Sequence, residues 1–528
     1  MIGVIANPSD HDVVSEFFEL FKTPWELHRR GQEYDAILCN AEFDVSQCKA
    51  KIIIIYGGWK RAAETEEEVT VSVDGRPVIM SYKGSRLPIY GKSATFQHQG
   101  RELLKDENSR QAAGYIDQSS GRVMVRIGYD IFAEIRDLLV TGQPIANASI
   151  PALELHIALL RELIIESGVS LVEIPPVPAG YTFIACLTHD VDHPSIGRHK
   201  FDHTMFGFVY RAAIGSLIGV LRKRTGVRAL VKNWTAVFKL PLVYLGLAKD
   251  FWLGFDQYSS LEGGAKSSFF VIPFSGRPGM LGNRPAPEHR SAAYGAADIS
   301  IQIQKLMGAG CEIGVHGIDA WRDTASAHEE LKEIRRATGR RQIGVRMHWL
   351  YFDEKTPAIL EQAGFEYDST VGYNGAVGYR AGTTQAYKPL ETTRLLELPL
   401  HAMDTALFYP AHMNLSRDEA KKLVGKLMDN AIQFGGCLTI NWHDRSIAPE
   451  RLWGDFYAEL IAELKRRGAW LASGDETVSW FRKRRSAVIS FFDCEDGEVR
   501  PRIRTDEDER LPRLQLRSYC PSGQLTVQ

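Results

Sequence analysis

The order of apolar and polar positions divides this chain into two α/β regions followed by a short tail. In the first region, apolar runs typical of buried strands, Ile2–Ala6 and Lys51–Tyr56, alternate with the amphipathic helix pattern of Val13–Phe21. The alternation continues to about residue 175, and it carries no recognisable set of catalytic side chains. We therefore predict an accessory α/β domain over residues 1–175, to which the sequence assigns no role.

Turn-forming residues mark a hairpin and a boundary in this part of the chain. The strand patterns Val69–Val73 and Val78–Tyr82 flank Asp74 and Gly75, a pair that favours a tight hairpin turn. The run from 175 to 180 holds three prolines and a glycine, so it can continue neither a helix nor a strand. The domain boundary is predicted there.

The second region, residues 181–485, repeats apolar strand patterns that each run into a polar residue or a proline. Helical patterns separate the strands, so we predict a (β/α) barrel, a fold that collects its chemistry at the carboxyl ends of its strands. Charged groups in such places cost free energy unless they are paired or bound to a metal. The residues at the predicted strand ends are Asp190, Asp192, Pro273, His316, Arg346, His401, His443 and Asp444.

Asp190 and Asp192 form the most informative pair among these residues. Side chains alternate along an extended chain, so two carboxylates placed two positions apart point to the same face. One of them can bind a metal ion while the other stays free to act as a base. A single aspartate could equally be a hydrogen-bond acceptor at the end of a strand, so only the whole set indicates chemistry.

Five segments carry a family resemblance in their order and spacing. They are Thr188–Asp192, Glu312–Gly317, Gly344–Trp349, Gly364–Ser369 and Asn441–Asp444. Together they resemble the polysaccharide deacetylase domain, also called the NodB-homology or carbohydrate esterase family 4 domain, over about 300 residues from Tyr181 to Arg484. The resemblance implies a distorted (β/α) barrel of the NodB-homology type. It also implies a divalent metal, usually zinc, and removal of N-acetyl groups from amino sugars.

The resemblance also implies roles for individual residues. The catalytic residues would be Asp190 as general base, Arg346 as the arginine that holds it, His443 as general acid, and Trp349 as the donor of a backbone N–H to an oxyanion hole. The metal ligands would include Asp192 and His316. Asp404 is expected to orient His443, although an ordinary acidic loop residue fits that position as well.

The chain departs from the family pattern at one metal ligand. Four residues after His316 the family usually has a second histidine, and here that position is Ala320. Asp319, Asp323 and His348 are the nearby substitutes. We favour His348 as the third ligand, because it replaces the usual proline beside the metal site, and a hydrogen-bonding role around the metal is its alternative. Asp319 could instead cap the following helix.

A long insert interrupts the predicted barrel between Asp192 and the strand that begins at Ser268. Residues 196–250 carry ten Lys and Arg against two Asp, with apolar runs interleaved among them. Such a mixture suits a helix pair lying on anionic lipid, so peripheral membrane contact through residues 205–250 is one interpretation. A helical lid that packs on the barrel with a solvated basic rim is the other.

Composition narrows the location and the partners. The 528 residues carry a formal net charge of −2, which gives no global reason to expect nucleic acid as a partner. The seven cysteines are scattered without a C-x-x-C pair, as is usual in a reducing compartment. No secretory signal pattern opens the sequence, and no continuous apolar run reaches the length of a membrane span. We expect a cytoplasmic protein, peripheral on the inner leaflet if the insert binds lipid.

These observations predict a metal-dependent N-deacetylase that acts on an amino sugar of a polysaccharide or a lipid-linked glycan precursor. Hydrolysis of another non-peptide amide bond is the alternative within the enzymes, because the same residues serve any such carbonyl. A carbohydrate-binding or scaffold protein without activity is the alternative outside them. The retained Asp190, Arg346 and His443 favour an enzyme, since a binding protein does not need them. Residues 486–528 are predicted to be a small β-rich appendage.

Overall fold

The computed structural model describes residues 1–58, 69–71, 77–97, 100–118, 121–222, 226–493, 499–505, 509–521 and 525–527. Within them the chain is a mixed α/β protein with two large sheets. The helices are α1 (His11–Phe21), α2 (Ile131–Val140), α3 (Ala152–Glu166), α4 (His203–Val209), α5 (Ser216–Leu221), α6 (Val227–Tyr244), α7 (Phe255–Glu262), α8 (Ser300–Gly308), α9 (Thr324–Thr338), α10 (Thr356–Ala363), α11 (Asp404–Phe408), α12 (Arg417–Phe434), α13 (Gly454–Arg466) and α14 (Gly474–Ser486).

The first sheet is half parallel and half antiparallel. Its strands are β1 (Ile2–Ile5), β2 (Trp25–Leu27), β3 (Glu33–Cys39), β4 (Lys49–Tyr56), β5 (Val69–Val71), β6 (Val78–Tyr82), β7 (Ser85–Ile89), β8 (Ala94–Phe96), β9 (Arg101–Asp106), β10 (Ala112–Asp117) and β11 (Val123–Ile127). The order β2-β1-β3-β4-β11 is parallel, and β10, β9, β6 and β7 continue it antiparallel. Helices α1, α2 and α3 supply apolar side chains to the core of this region.

The predicted hairpin between Val69–Val73 and Val78–Tyr82 is wrong. Strand β6 pairs instead with β7, and β5 pairs with β8. The two-residue turn between β6 and β7 is Lys83-Gly84, and both residues have positive φ (45° and 81°), which is the geometry that a tight hairpin favours. The turn predicted at Asp74 and Gly75 lies outside the described residues.

The second sheet is a curled, parallel half-barrel. Its strands are β13 (Phe183–Val191), β14 (Ser268–Val271), β17 (Glu312–Gly317), β18 (Val345–Met347), β19 (Tyr367–Asp368), β20 (Leu396–Glu397), β21 (Ala402–Met403), β22 (Cys437–Asn441) and β23 (Ala469–Ala472). The order is β20-β19-β18-β17-β14-β13-β22-β21, with β23 on the first half of β13. Across the described residues β20 and β21 do not pair, so the sheet that stands where a distorted (β/α) barrel was predicted is a half-barrel. A two-stranded ribbon, β15 (Met280–Leu281) and β16 (Arg284–Pro285), follows β14.

The first region and the half-barrel are joined by buried polar contacts. Arg484, in the last turn of α14, donates from its guanidinium to the backbone carbonyls of Glu19, Leu20 and Ile174 at 2.9–3.1 Å. Its neighbour Arg485 forms an ion pair with the buried Glu16 at 2.7 Å. The run of prolines at 175–180 therefore connects two regions that pack closely.

The tail also joins the first region. Strand β12 (Leu171–Glu173) pairs with β26 (Arg517–Tyr519), which pairs with β27 (Leu525–Val527). A separate hairpin consists of β24 (Val488–Asp493) and β25 (Val499–Arg504). The tail is therefore rich in strands.

The insert folds as a helical hairpin. Helix α4, a π-helical turn over Tyr210–Gly215 and α5 make one arm, and α6 packs against it as the other. By length and composition alone, His203–Leu221 could cross a membrane, and 28% of it is buried in the structure. The sequence analysis missed this segment because Arg211 and several glycines interrupt its apolar run.

Candidate active site

The candidate site lies where the strands of the half-barrel end. Strands β13, β17, β18 and β22 carry Asp190, His316, Arg346 and Asn441 to one edge of the sheet, because parallel strands end on the same side. All four of these residues are buried. Asp192, one residue beyond β13, is partly exposed.

Three side chains at this edge form a small triangle of ligand atoms. The Nε2 atom of His316 lies 3.3 Å from Oδ1 of Asp192, Nδ1 of His348 lies 3.4 Å from the same oxygen, and the two nitrogens are 3.0 Å apart. Two ligands at roughly 2.0–2.1 Å from a tetrahedral zinc are about 3.3 Å apart. The triangle therefore has the size of one face of a zinc coordination shell.

The surroundings of these atoms fit a metal ion. Oδ1 of Asp192 is buried and has no hydrogen-bond partner among the described residues. Nδ1 of His316 lies 3.0 Å from the carbonyl of Arg346, a contact that keeps the proton on Nδ1 and turns the lone pair of Nε2 toward the triangle. Burial lowers the pKa of His348, which favours the neutral form that a metal needs.

The alternatives for the third ligand have other tasks in the structure. Asp319 accepts a hydrogen bond from the N–H of Met280 at 2.9 Å. Asp323, not Asp319, is the N-cap of α9 and accepts from the N–H of Ser326 at 2.8 Å. Ala320, at the position of the family's second histidine, is buried. Of the three substitutes, His348 is the one that lies with Asp192 and His316.

Asp190 is held rigidly beside this triangle. One carboxylate oxygen accepts from Nη1 of Arg346 at 3.0 Å, and the other accepts from Nδ2 of Asn441 at 2.7 Å. Burial alone would raise the pKa of Asp190, but the charges of Arg346, His316 and His443 lower it below its ordinary value. Asp190 is therefore an ionised, oriented carboxylate. Sequence analysis missed Asn441 as its partner, although the residue belongs to a quoted motif.

His443 lies on another side of Asp192, and Asp404 orients it. Nδ1 of His443 donates to Oδ1 of Asp404 at 2.6 Å, and the backbone N–H of His443 donates to Oδ2 at 2.8 Å. Burial disfavours the imidazolium, but Asp404 outweighs it and raises the pKa of His443 to about 9. His443 is therefore a cation at neutral pH, with its Nε2 atom 3.8 Å from Asp192.

Trp349 has an unusual backbone conformation beside His348. Its φ is 63°, and that of Leu350 is 53°, so two consecutive residues with side chains occupy the left-handed region. The side chain of Asn374 donates to the carbonyl of Trp349 at 2.8 Å. Backbone strain of this kind costs about 1–3 kcal/mol per residue and is concentrated at functional sites.

Two further residues correct or extend the sequence analysis. His401, at a predicted strand end, is a buried structural histidine: its ring contacts the carbonyl of Thr383 and the N–H of Thr439, and burial lowers its pKa to about 4. Arg290, which sequence analysis missed, donates to the carbonyl of His348 at 2.9 Å and fixes the segment that carries this histidine. No spacing or motif signals Arg290, because it lies in a loop distant in sequence.

Comparisons with known proteins find solved structures that align with part of this chain at low TM-scores. No protein-family profile matches the chain, and no curated protein matches it. A solved structure described as a polysaccharide deacetylase from Mycobacterium smegmatis aligns with 58% of this chain and 94% of its own, at 19% identity and a TM-score of 0.35. One from Pseudomonas aeruginosa covers 42% and 93%, at 16% identity and a TM-score of 0.30. A third, from Bordetella bronchiseptica and described as involved in O-antigen biosynthesis, covers 44% and 85%, at 16% identity and a TM-score of 0.23.

Proposed function

We propose that this chain is a metal-dependent hydrolase that removes an N-acetyl group from an amino sugar of a cytoplasmic polysaccharide or lipid-linked glycan precursor. One observation carries the proposal. A base and an acid flank the ligand triangle: Oδ2 of Asp190 is 3.9 Å from Nε2 of His316, and Nε2 of His443 is 3.8 Å from Oδ2 of Asp192. Amide hydrolysis needs this combination of a metal, a base for water and an acid for the leaving amine.

Zinc, held by Asp192, His316 and His348, would supply Lewis acidity toward the amide carbonyl and lower the pKa of water. The protein groups around it divide the remaining work. Asp190 removes a proton from the attacking water, and Arg346 and Asn441 keep its carboxylate in place and ionised.

The leaving amine and the oxyanion need separate partners. His443 is protonated at neutral pH, so it can donate a proton from Nε2 to the amine while Asp404 holds Nδ1. The backbone N–H of Trp349 is assigned to the developing oxyanion. The left-handed turn at Trp349 and Leu350 keeps this backbone beside His348.

The proposal is tested by metal content and acetate release together. The purified protein should bind about one equivalent of zinc and release acetate from oligomers of N-acetylglucosamine, whereas Asp192→Ala should lose both. Asp319→Ala is the matched control, because that carboxylate, three residues after His316, accepts from the N–H of Met280 and does not join the triangle, and it should keep both. Zinc binding without acetate release from any N-acetylated glycan would favour another amide substrate, and absence of zinc binding would contradict the proposal.

A further inference from the structure

The helical hairpin of the insert has an apolar face that points outward. On its first arm the exposed residues are Phe206, Tyr210, Ile214, Leu217, Ile218 and Leu221, and on α6 they are Val227, Val231, Trp234, Phe238, Leu242 and Leu245. Their spacing of three or four positions places each set along one side of its helix. We refer to these twelve residues as the outer apolar face. They are between 37% and 75% exposed.

The opposite sides of the same helices are already buried. Met205 and Phe208 on the first arm pack with Leu240 and Val243 on α6, against Trp252. The hairpin is therefore apolar on two sides, whereas a surface helix of a soluble protein needs only one apolar side. Although Trp234 donates from Nε1 to the carbonyl of Ala213 within the hairpin, the outer apolar face as a whole stays exposed while the inner side is packed.

The positive charge around the outer apolar face indicates what kind of partner it fits. Among the described residues, seven exposed basic residues accompany the hairpin: Arg198, Lys200, Arg222, Arg228, Lys232, Lys239 and Lys249. On α6, Arg228, Lys232 and Lys239 each follow a residue of the outer apolar face, so they lie about 100° around the helix from it. An apolar stripe bordered by cations matches the hydrocarbon boundary and the anionic headgroups of a lipid surface.

We propose that the outer apolar face docks this protein on an anionic membrane surface, with the hairpin lying in the interface. This goes beyond the proposed chemistry and does not depend on the metal site. The hairpin is also tied to the strand-end edge that carries the site: Asp250 accepts hydrogen bonds from Ser195 Oγ and the N–H of Gly197, just after the metal-binding Asp192. Docking would therefore place the site close to the lipid headgroups.

Vesicle binding of the full chain tests this proposal. The protein should co-sediment with vesicles that contain 30% phosphatidylglycerol, and binding should fall at least tenfold on phosphatidylcholine alone or when NaCl is raised from 50 to 500 mM. The combined substitution Phe206→Ser, Phe238→Ser and Leu245→Ser should weaken binding to the anionic vesicles at least tenfold. All three side chains are more than half exposed, so the fold should tolerate the change.

A matched control carries the same number of apolar-to-serine changes elsewhere. Ile145→Ser, Leu281→Ser and Ile301→Ser, which replace residues 51–67% exposed, should leave vesicle binding unchanged. The proposal is overturned if the wild-type chain does not bind anionic vesicles, or if the hairpin variant binds as well as the control. Light scattering adds a second route: a wild-type dimer without vesicle affinity, dispersed by the hairpin substitutions, would identify the face as a contact between copies.

A second, independent observation concerns three arginines, of which Arg445 is two residues after His443. Arg445 is only 9% exposed, and its Nη1 atom has no hydrogen-bond partner among the described residues. Nη1 of Arg451 and Nε of Arg211 are buried and unpartnered in the same way. Burial and the like charges of Arg451 and Arg211 lower the pKa of Arg445 to about 10, although the carboxylates of Glu450 and Asp444 oppose this.

Such a group of cations is costly unless an anion completes it, because buried donors of charged groups need partners. Arg445 lies over the ring of Trp252 at 5.1 Å, and Arg451 lies over the rings of Tyr409 and Trp453 at 5.3 and 5.0 Å. These aromatic contacts hold the guanidinium groups, and the carboxylate of Glu450, which acts on Arg445, has its own buried oxygen Oε1 without a hydrogen bond, so it does not satisfy these donors. We infer that Arg211, Arg445 and Arg451 bind an anionic group of the substrate, a phosphate or a carboxylate, next to the general acid.

The assignment of the anion to a substrate rests on the proposed function. The test does not, because it measures anion binding alone. In the Asp192→Ala chain, which removes a metal ligand, inorganic pyrophosphate should still bind by calorimetry, and Arg451→Gln or Arg211→Gln in that background should weaken binding at least tenfold. Arg336→Gln, which alters an exposed arginine on α9, is the control. Tighter binding of glucuronate than of pyrophosphate would identify a carboxylate as the ligand. Binding of neither anion, or equal binding by all variants, would overturn the inference.

Discussion

Replacing Asp404 by asparagine tests whether this carboxylate keeps His443, the proposed general acid, charged. The Asp404 carboxylate is fully buried and lies 2.6 Å from Nδ1 of His443, whose pKa is raised from an ordinary 6.5 to about 9. The difference of about 2.5 units corresponds to roughly 3 kcal/mol in favour of the imidazolium. Asparagine keeps the shape and one acceptor oxygen but removes the charge, so we expect the pKa of His443 to fall by at least one unit.

Because the pKa of His443 is raised, the loss of its proton limits acetate release on the alkaline side of the pH profile. A histidine with a raised pKa stays protonated below that pKa and loses its proton above it, so acetate release should decline on the alkaline side near pH 9. In Asp404→Asn this decline should move to lower pH. A fall of two pKa units would lower the protonated fraction of His443 at pH 8 from about 0.9 to about 0.1.

Two measurements check this prediction. The pH dependence of acetate release gives the alkaline limit, and a titration of ¹³C-labelled histidine by NMR gives the pKa of His443 without a substrate. Asp418→Asn, an exposed aspartate in the first turn of α12, is the control and should change neither. An unchanged alkaline limit and an unchanged imidazole titration in Asp404→Asn would refute the assignment of Asp404 as the group that charges His443.

Three further predictions follow from the site. His348→Ala should weaken zinc binding more than 100-fold if the residue is a ligand, measured by competition with a chelator, whereas a loss of only 10-fold to 100-fold would indicate a hydrogen-bonding role around the metal. Asp190→Asn should keep about one equivalent of zinc by elemental analysis and lose at least 100-fold in acetate release; normal turnover would exclude Asp190 as the base. His443→Gln should lose at least 100-fold on an N-acetylated glycan but less than tenfold on 4-nitrophenyl acetate, because nitrophenolate leaves without a proton donor. Equal losses on the two substrates would argue against a general acid.

The fold was predictable where the apolar pattern was long and continuous. Strands β1 and β4 lie within one or two residues of their predicted positions, because β1 is buried along its whole length and the last five residues of β4 are buried without interruption. The short strands β19 and β23 were missed, since two to four residues carry too little pattern. The wrong hairpin at Val69–Val73 arose from turn chemistry considered alone, which does not determine which strands pair.

The site was predictable to the extent that its residues lie at strand ends. Asp190, His316 and Arg346 come together because neighbouring parallel strands end at one edge. His401 occupied an equivalent position in the pattern and points away, into contacts with Thr383 and Thr439, because alternate side chains of an extended segment face opposite sides. Contacts such as those of Arg290 depend on loops whose approach no local pattern encodes.

The guanidinium of Arg484 has a consequence for how this chain can evolve. It is buried, and the three carbonyls of Glu19, Leu20 and Ile174 that receive its protons all belong to the first region. Separation of the half-barrel from residues 1–175 would remove these three acceptors and leave the side-chain oxygen of Gln385 as the remaining partner of this cation. The half-barrel is therefore not a detachable module: gene fusion or loss at the proline run would have to replace Arg484 at the same time, and the two regions should unfold as one cooperative unit.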